Sequence, residues 1–253
     1  MMNLLDTITQ LSHEFGSREY VKAGGGNTSC KTDDTLWVKP SGTTLATLTP
    51  QGFVAMDRAR LADLYAAQTP DDAAAREELV KNMMAAAVKP ETPGRASVEA
   101  PLHDSLAARF VVHTHPAAVN GLTCAVGGCA AAARLFPDAL WVPYTDPGYT
   151  LCMAVREAIR AYRARQGCEP ALIFLENHGV FVSGDTAEAV RAAYARVMQA
   201  LASAYAAAGI DDAVPEGPAP EAAQVAAWHG VLAEALGAEI GRASCRERVL
   251  RLV

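Results

Sequence analysis

Three histidines and one glutamate in this chain stand at element ends, where such side chains could gather around a divalent metal. His113 and His115 stand one residue apart at the end of the apolar run Phe110-Val111-Val112. Side chains at i and i+2 of an extended strand point to one face, so the two imidazoles should project together. His178 follows a second apolar run, Leu172-Ile173-Phe174-Leu175, and precedes Gly179. Glu99 sits in Ser97-Val98-Glu99, just ahead of Pro101. Three neutral imidazoles with a fourth position open form the ligand set of a catalytic divalent ion, often zinc. Each piece also has a plainer reading. The HTH pair can be a strand end bonded to backbone, and Glu99 an acid favoured electrostatically at a helix start. His103 can be a further ligand or a packing residue with one hydrogen bond.

A second group of residues suits an anion. Gly24-Gly25-Gly26-Asn27-Thr28-Ser29 combines permissive backbone with short polar side chains, and Pro40-Ser41-Gly42-Thr43-Thr44 is another hydroxyl-rich turn. Backbone N–H groups freed by glycine can cradle phosphate. The two turns flank one short hairpin and can converge on one anion, with Lys39 adding charge. Neither is a P-loop or a dinucleotide fingerprint, since the GKS/T ending and the GxGxxG spacing are both missing. A plain flexible turn is the alternative.

The elements that must carry these residues follow from periodicity and turn chemistry. Residues 4–15 repeat apolar side chains at helical spacing, with Leu4, Leu5, Ile8, Leu11 and Phe15 on one face. Thr35–Lys39 and Phe53–Asp57 read as strands. Asp71-Asp72 should start a helix reaching about Val88, ended by Pro90, Pro93 and Gly94. Ser97 is the expected N-cap of the next helix, with Glu99 in its first turn. The HTH strand, a helix from Pro116 to Thr123, a short strand at Leu140–Tyr144 and a helix over 150–165 follow. In that last helix Arg156, Arg160, Arg163 and Arg165 read as a solvated face. A strand–turn–strand then spans Ala171–Val182, and an Ala-rich helix spans 185–208. Residues 211–220 have the composition of a linker. Residues 221–237 form one more amphipathic helix.

At 253 residues, with half of them hydrophobic and a fifth charged, the chain can bury a sizeable core. A net charge of −6 and the lack of a basic cluster interleaved with aromatics argue against nucleic acid. No apolar run is long enough to span a bilayer, and the N-terminus does not read as a signal peptide. The six cysteines form no CxxC pair. They are expected to be reduced and mostly packed, as in a cytoplasmic protein.

Taken in order and spacing, GGGNTS, KPSGT, SVE, HTHP and ENHG resemble the motifs of the class II aldolase/adducin family over about residues 5–208. The elaborate GGGNTS and the insertion at 66–96 look closest to the aldolase part of rhamnulose-phosphate aldolase/dehydrogenase proteins. The resemblance implies an α/β fold, a three-layer sandwich with a central, largely antiparallel sheet between helices. It implies His113, His115 and His178 as ligands of a divalent metal, most often Zn2+, and Glu99 as catalytic acid/base. It implies Asn27, Ser41, Gly42 and Ser97 as residues that bind the substrate phosphate. Val98 departs from the serine that family aldolases often carry there, which removes one phosphate donor. The implied reaction is retro-aldol cleavage of a ketose, or ketose 1-phosphate, through a metal-stabilised enediolate. Glu99 would need a raised pKa, as a partly desolvated carboxylate can have. Sugar-phosphate epimerases, dehydratases and adducin-like interaction domains share the family. A homotetramer with a small-molecule substrate is the implied assembly, with no nucleic acid or membrane partner.

On this reading residues 1–210 are the aldolase/adducin domain and 221–238 start a further segment. Residues 239–253 (EIGRASCRERVLRLV) resemble a translated sequencing adapter, which would make them a non-native tail on a truncated fragment.

Overall fold

The computed structural model describes residues 3–90, 92, 94–210 and 221–236. The expected linker at 211–220 and tail at 239–253 lie outside the described residues. Seven strands form one sheet: β1 (Asn27–Lys31), β2 (Thr35–Val38), β3 (Val54–Asp57), β4 (Phe110–Thr114), β5 (Leu140–Val142), β6 (Leu172–Leu175) and β7 (Gly179–Gly184). Their order is β3-β2-β1-β4-β7-β6-β5, antiparallel throughout except for the parallel pair β5/β6. The centre of the sheet therefore places β4 between β1 and β7. Asn27 is in register with His113, and His113 with Phe181.

Helices cover both faces, so the α/β three-layer sandwich with a largely antiparallel centre is the observed fold. On one side α1 (Leu4–Phe15), α5 (Ala117–Thr123), α6 (Gly128–Leu135) and α8 (Ala187–Ala207) enclose Phe110, Val112, Phe174, Val180 and Val182. On the other lie α2 (Arg58–Ala66), α3 (Ala73–Ala87), α4 (Ala100–Ser105) and α7 (Tyr149–Gln166). They cover Leu36, Val38, Val111, Ile173 and Phe181. Strand alternation explains the sorting: Phe110 and Val112 face the first layer, Val111 and His113 the second. Burial of large apolar side chains such as these stabilises by roughly 1.5–3 kcal/mol each.

The helix limits follow local chemistry. Asn3, Asp57, Asp72 and Thr186 accept backbone N–H bonds as N-caps of α1, α2, α3 and α8. Gly167 ends α7 at φ 73°, a conformation that glycine adopts without penalty. The insertion at 66–96 is largely α3, whose Val80, Met84 and Ala87 pack on the β2–β3 edge. Helix α9 (Ala222–Leu236) exposes residues 222–231 and 234.

Four expectations need correction. Ser97 is not a helix N-cap: α4 begins at Ala100, Glu99 occupies the cap position, and Ser97 Oγ accepts from Glu99 N at 3.2 Å. Pro101 lacks an N–H and tolerates only the first turn, which sets that start. Arg156 is no solvated residue, because its guanidinium lies 3.5 Å from the Tyr65 ring centroid and donates to Ser105 Oγ. Cys124, Cys129 and Cys168 are exposed, so of the described cysteines only Cys30 and Cys152 pack inside. The fourth correction concerns the Glu99 proton and is given with the site.

Candidate metal centre

Strand β4 carries His113 into the second layer, where its ring stacks on Phe181 with centroids 4.0 Å apart. His113 Nδ1 lies 2.9 Å from Val180 O. A carbonyl only accepts, so Nδ1 holds the hydrogen and a neutral ring presents Nε2 as a lone pair. His115 lies just past the strand, held by its backbone N–H on Tyr20 O at 3.0 Å. Its Nε2 is 2.8 Å from His113 Nε2, as the i, i+2 spacing implies. His178 arrives from the turn between β6 and β7. Asn177 takes φ 57° there, which asparagine tolerates, and Gly179 lets the chain pass against His115. One ring nitrogen from each of His113, His115 and His178 lies within 4.8 Å of the others.

Glu99 completes the cluster. Its Oε1 is 3.4 Å from His113 Nε2 and 3.5 Å from His178 Nε2. Asn27 Nδ2 donates to Glu99 Oε2 and, at 2.8 Å, to Ser97 Oγ. His113 is fully buried, whereas His178 and Glu99 keep 19% and 16% of their side-chain surface exposed. Access to the cluster is therefore from the His178–Glu99 side.

Burial favours a neutral His115, and the surroundings of Glu99 favour an ionised carboxylate. Burial lowers the His115 pKa well below the usual histidine value, and His113 and His178 reinforce this. Burial alone would raise the Glu99 carboxyl, but charge and hydrogen-bond interactions with His113 and His178 outweigh it and hold the group well below the usual range. This is the fourth correction. The expected raised pKa ignored two histidines within 4 Å of one oxygen. Glu99 is thereby held as a carboxylate, a form able to accept a proton. The donor set fits a divalent metal: three convergent imidazole nitrogens, one ring's tautomer fixed by backbone, and a carboxylate at the open side.

The residues expected at phosphate are split between two settings. Asn27 and Ser97 bond each other and Glu99. Ser41 and Gly42 occupy the neighbouring turn, where Ser41 N donates to Arg95 O at 2.8 Å and Gly42 takes φ 82° with open space beside it. The buried Lys39 donates to Gly24 O and Thr43 O, joining the two glycine-bearing turns. His103 is a buried packing residue that shares a 2.8 Å hydrogen bond with Ser29 and does not join the histidine cluster. Missed in the sequence was Lys31, which with Asn27 and Ser29 completes an inward polar row of β1 facing α4.

A family model described as class II aldolase and adducin N-terminal domain matches residues 6–205. The chain belongs to this family. It is 32% identical over 196 residues to the uncharacterized oxidoreductase YuxG of Bacillus subtilis (strain 168), a match covering 73% of this chain and 27% of that protein. The chain thus spans about a quarter of the length of that relative. Among solved structures it is similar to the N-terminal class II aldolase domain of a conserved protein from Thermoplasma acidophilum. The TM-score is 0.68 at 25% identity, covering 80% of this chain and 94% of that one. It also shares the fold of an L-fuculose-1-phosphate aldolase from Thermus thermophilus, with TM-score 0.50 and 19% identity over 80% of this chain and 94% of that one. Among the described residues no single helix is long and apolar enough to cross a membrane.

Proposed function

We propose that this domain is a metal-dependent aldolase that cleaves a ketose 1-phosphate by retro-aldol chemistry, with zinc as the metal. The observation that carries the reading is the convergence of His113, His115 and His178 beside the Glu99 carboxylate. Family membership supports an aldolase-like enzyme, and retention of the whole cluster favours catalysis over a purely adhesive role.

A divalent cation held by the three imidazoles would act as a Lewis acid toward the carbonyl and hydroxyl oxygens of the substrate. The remaining work falls to the side chains. In the synthetic direction Glu99, as carboxylate, removes a proton from the hydroxymethyl carbon of dihydroxyacetone phosphate. The electron pair left on carbon delocalises into the adjacent carbonyl. In the cleavage direction the C4 hydroxyl loses its proton to solvent as the C3–C4 bond breaks and C4 becomes the aldehyde carbon, the pair remains on the ketone fragment, and Glu99, having taken up one proton from solvent, delivers it to C3. Asn27, bonded to Glu99, orients the carboxylate. Ser41 and Gly42, with Asn27 and Ser97, form the seat for the phosphate.

The test is cleavage of a panel of ketose 1-phosphates and their unphosphorylated sugars, with and without chelator. Chelator-sensitive release of dihydroxyacetone phosphate is the expected result. Cleavage that survives complete metal removal contradicts the reading.

A further inference from the structure

Glu99 caps a helix only six residues long. A helix that short is unstable alone, and its last carbonyls lack partners within it. Lys31 supplies them: its Nζ donates to His103 O and to Leu106 O, each at 2.6 Å. Lys31 is 4% exposed, and the nearby Asp104 already accepts from Arg58 at 2.6 Å and Tyr65 at 3.0 Å. The lysine head is therefore directed to the C-terminal end of α4, where positive charge is favoured. Burial lowers its pKa to about 7, with Asp104 opposing. Even a neutral amine keeps two N–H groups for the two carbonyls.

The path from Lys31 to Glu99 is one residue long. His103 O accepts from Lys31, and His103 N donates to Glu99 O at 3.2 Å. The same strand face fixes the helix twice more, through Ser29 on His103 and Asn27 on Glu99. Hydrophobic contacts of Leu102 and Leu106 allow sliding; directed bonds from three alternate positions of one strand do not.

We infer that Lys31 is a positioning residue for Glu99: it holds α4 by its C-terminal carbonyls so that the carboxylate meets His113 and His178. The inference rests on the role proposed for Glu99. Helix α4 is only ~9 Å long, so a shift at one end is carried to the other. A misplacement of ~1 Å at a reacting group can cost about 100-fold in rate. Lys31→Met should therefore lower the turnover of the Glu99 step by about 10- to 100-fold.

The probe is dihydroxyacetone phosphate, whose hydroxymethyl hydrogen exchanges with solvent deuterium through the Glu99 proton transfer alone. The full chain is loaded with cobalt(II), whose visible spectrum reports the three imidazoles. Expected for Lys31→Met are reduced exchange turnover, an unchanged half-saturating concentration of the probe, and an unchanged cobalt spectrum and stoichiometry. Lys31→Arg, which restores two donors, should recover most of the rate. If Lys31→Met yields no folded protein, Lys31→Gln, with one reach to the helix, is measured instead against the same expectations. Full turnover with only a lower melting temperature overturns the inference, and so does an altered cobalt spectrum, which would place the effect on the histidines. Glu99→Gln separates the two claims: normal exchange in that variant defeats the role of Glu99 itself, whatever Lys31 does.

Discussion

Gly179→Ala should weaken metal binding without replacing any of the three histidines. An added Cβ at Gly179 would stand 2.5 Å from His115 Cδ2 and 2.6 Å from Thr114 O. Both are well inside van der Waals contact, so the His115 imidazole must turn aside and the 178–179 turn must draw back from Thr114 O, which is fixed in the central strand. His115 is held by its backbone on Tyr20 O and by its ring on His113, leaving rotation of the ring as the cheapest escape. Overpacking of this kind costs about 1–3 kcal/mol. Disturbing the orientation of a ligand typically costs about 10- to 100-fold in metal affinity. The assay is competition between the protein and a chromophoric zinc chelator, with melting curves of the metal-free forms alongside. The control is Gly167→Ala at the end of α7, where φ is 73° and nothing lies within 4 Å of the added atom. That variant should lose about 1–2 kcal/mol through left-handed strain and keep its zinc affinity. Equal zinc affinity in wild type and Gly179→Ala would refute the reasoning, because His115 would then not be a ligand at that place.

Other expectations follow from the same geometry. His113→Ala should abolish stoichiometric metal, read by elemental analysis; an unchanged metal content removes His113 from the ligand set. The metal-free protein should lose stability as pH falls below about 6.5, the ordinary histidine value. His103 and His115 both have lowered pKa values in the fold, chiefly from burial, so the unfolded chain takes up protons first. Their contribution is complete above that pH and erodes beneath it; a melting temperature that stays flat from pH 8 to pH 5 contradicts this. Tyr194→Phe should cost about 1–3 kcal/mol by denaturant titration. The Tyr194 hydroxyl bonds Thr114 Oγ1 at 2.8 Å and Val112 O at 3.2 Å, and both partners are buried on β4. A loss near zero would mean that the strand is held by apolar packing alone.

The sequence made the site legible where chemistry is local. An HxH at a strand end brings two imidazoles together whatever the rest of the chain does, and His178 before a glycine marks a close chain passage. Strands and helices with clear periodicity, such as α1 and α8, lie within two residues of their expected limits. What was not legible depends on partners distant in the chain. Glu99 was expected to carry a raised pKa because proton transfer was taken to require one, whereas His113 and His178 reach one of its oxygens only after β4 and β7 pair. Ser97 looked like an N-cap by residue type, but Pro101 and the bond from Asn27, 70 positions away, fix it ahead of the helix. Lys31 gives no signal of its own in the sequence, and only the docking of α4 onto β1 gives its ammonium two carbonyls. Arg156 looked solvated until the Tyr65 ring, on a helix from the other end of the sheet, closed over it.

The central claim is that Glu99 moves a proton at a three-histidine metal site. Its most direct measurement combines metal content and deuterium exchange into dihydroxyacetone phosphate on one sample of Glu99→Gln. The account predicts wild-type metal stoichiometry with exchange reduced by at least about 100-fold, within the range general acid–base groups contribute. Wild-type exchange by a fully metallated Glu99→Gln protein would contradict it.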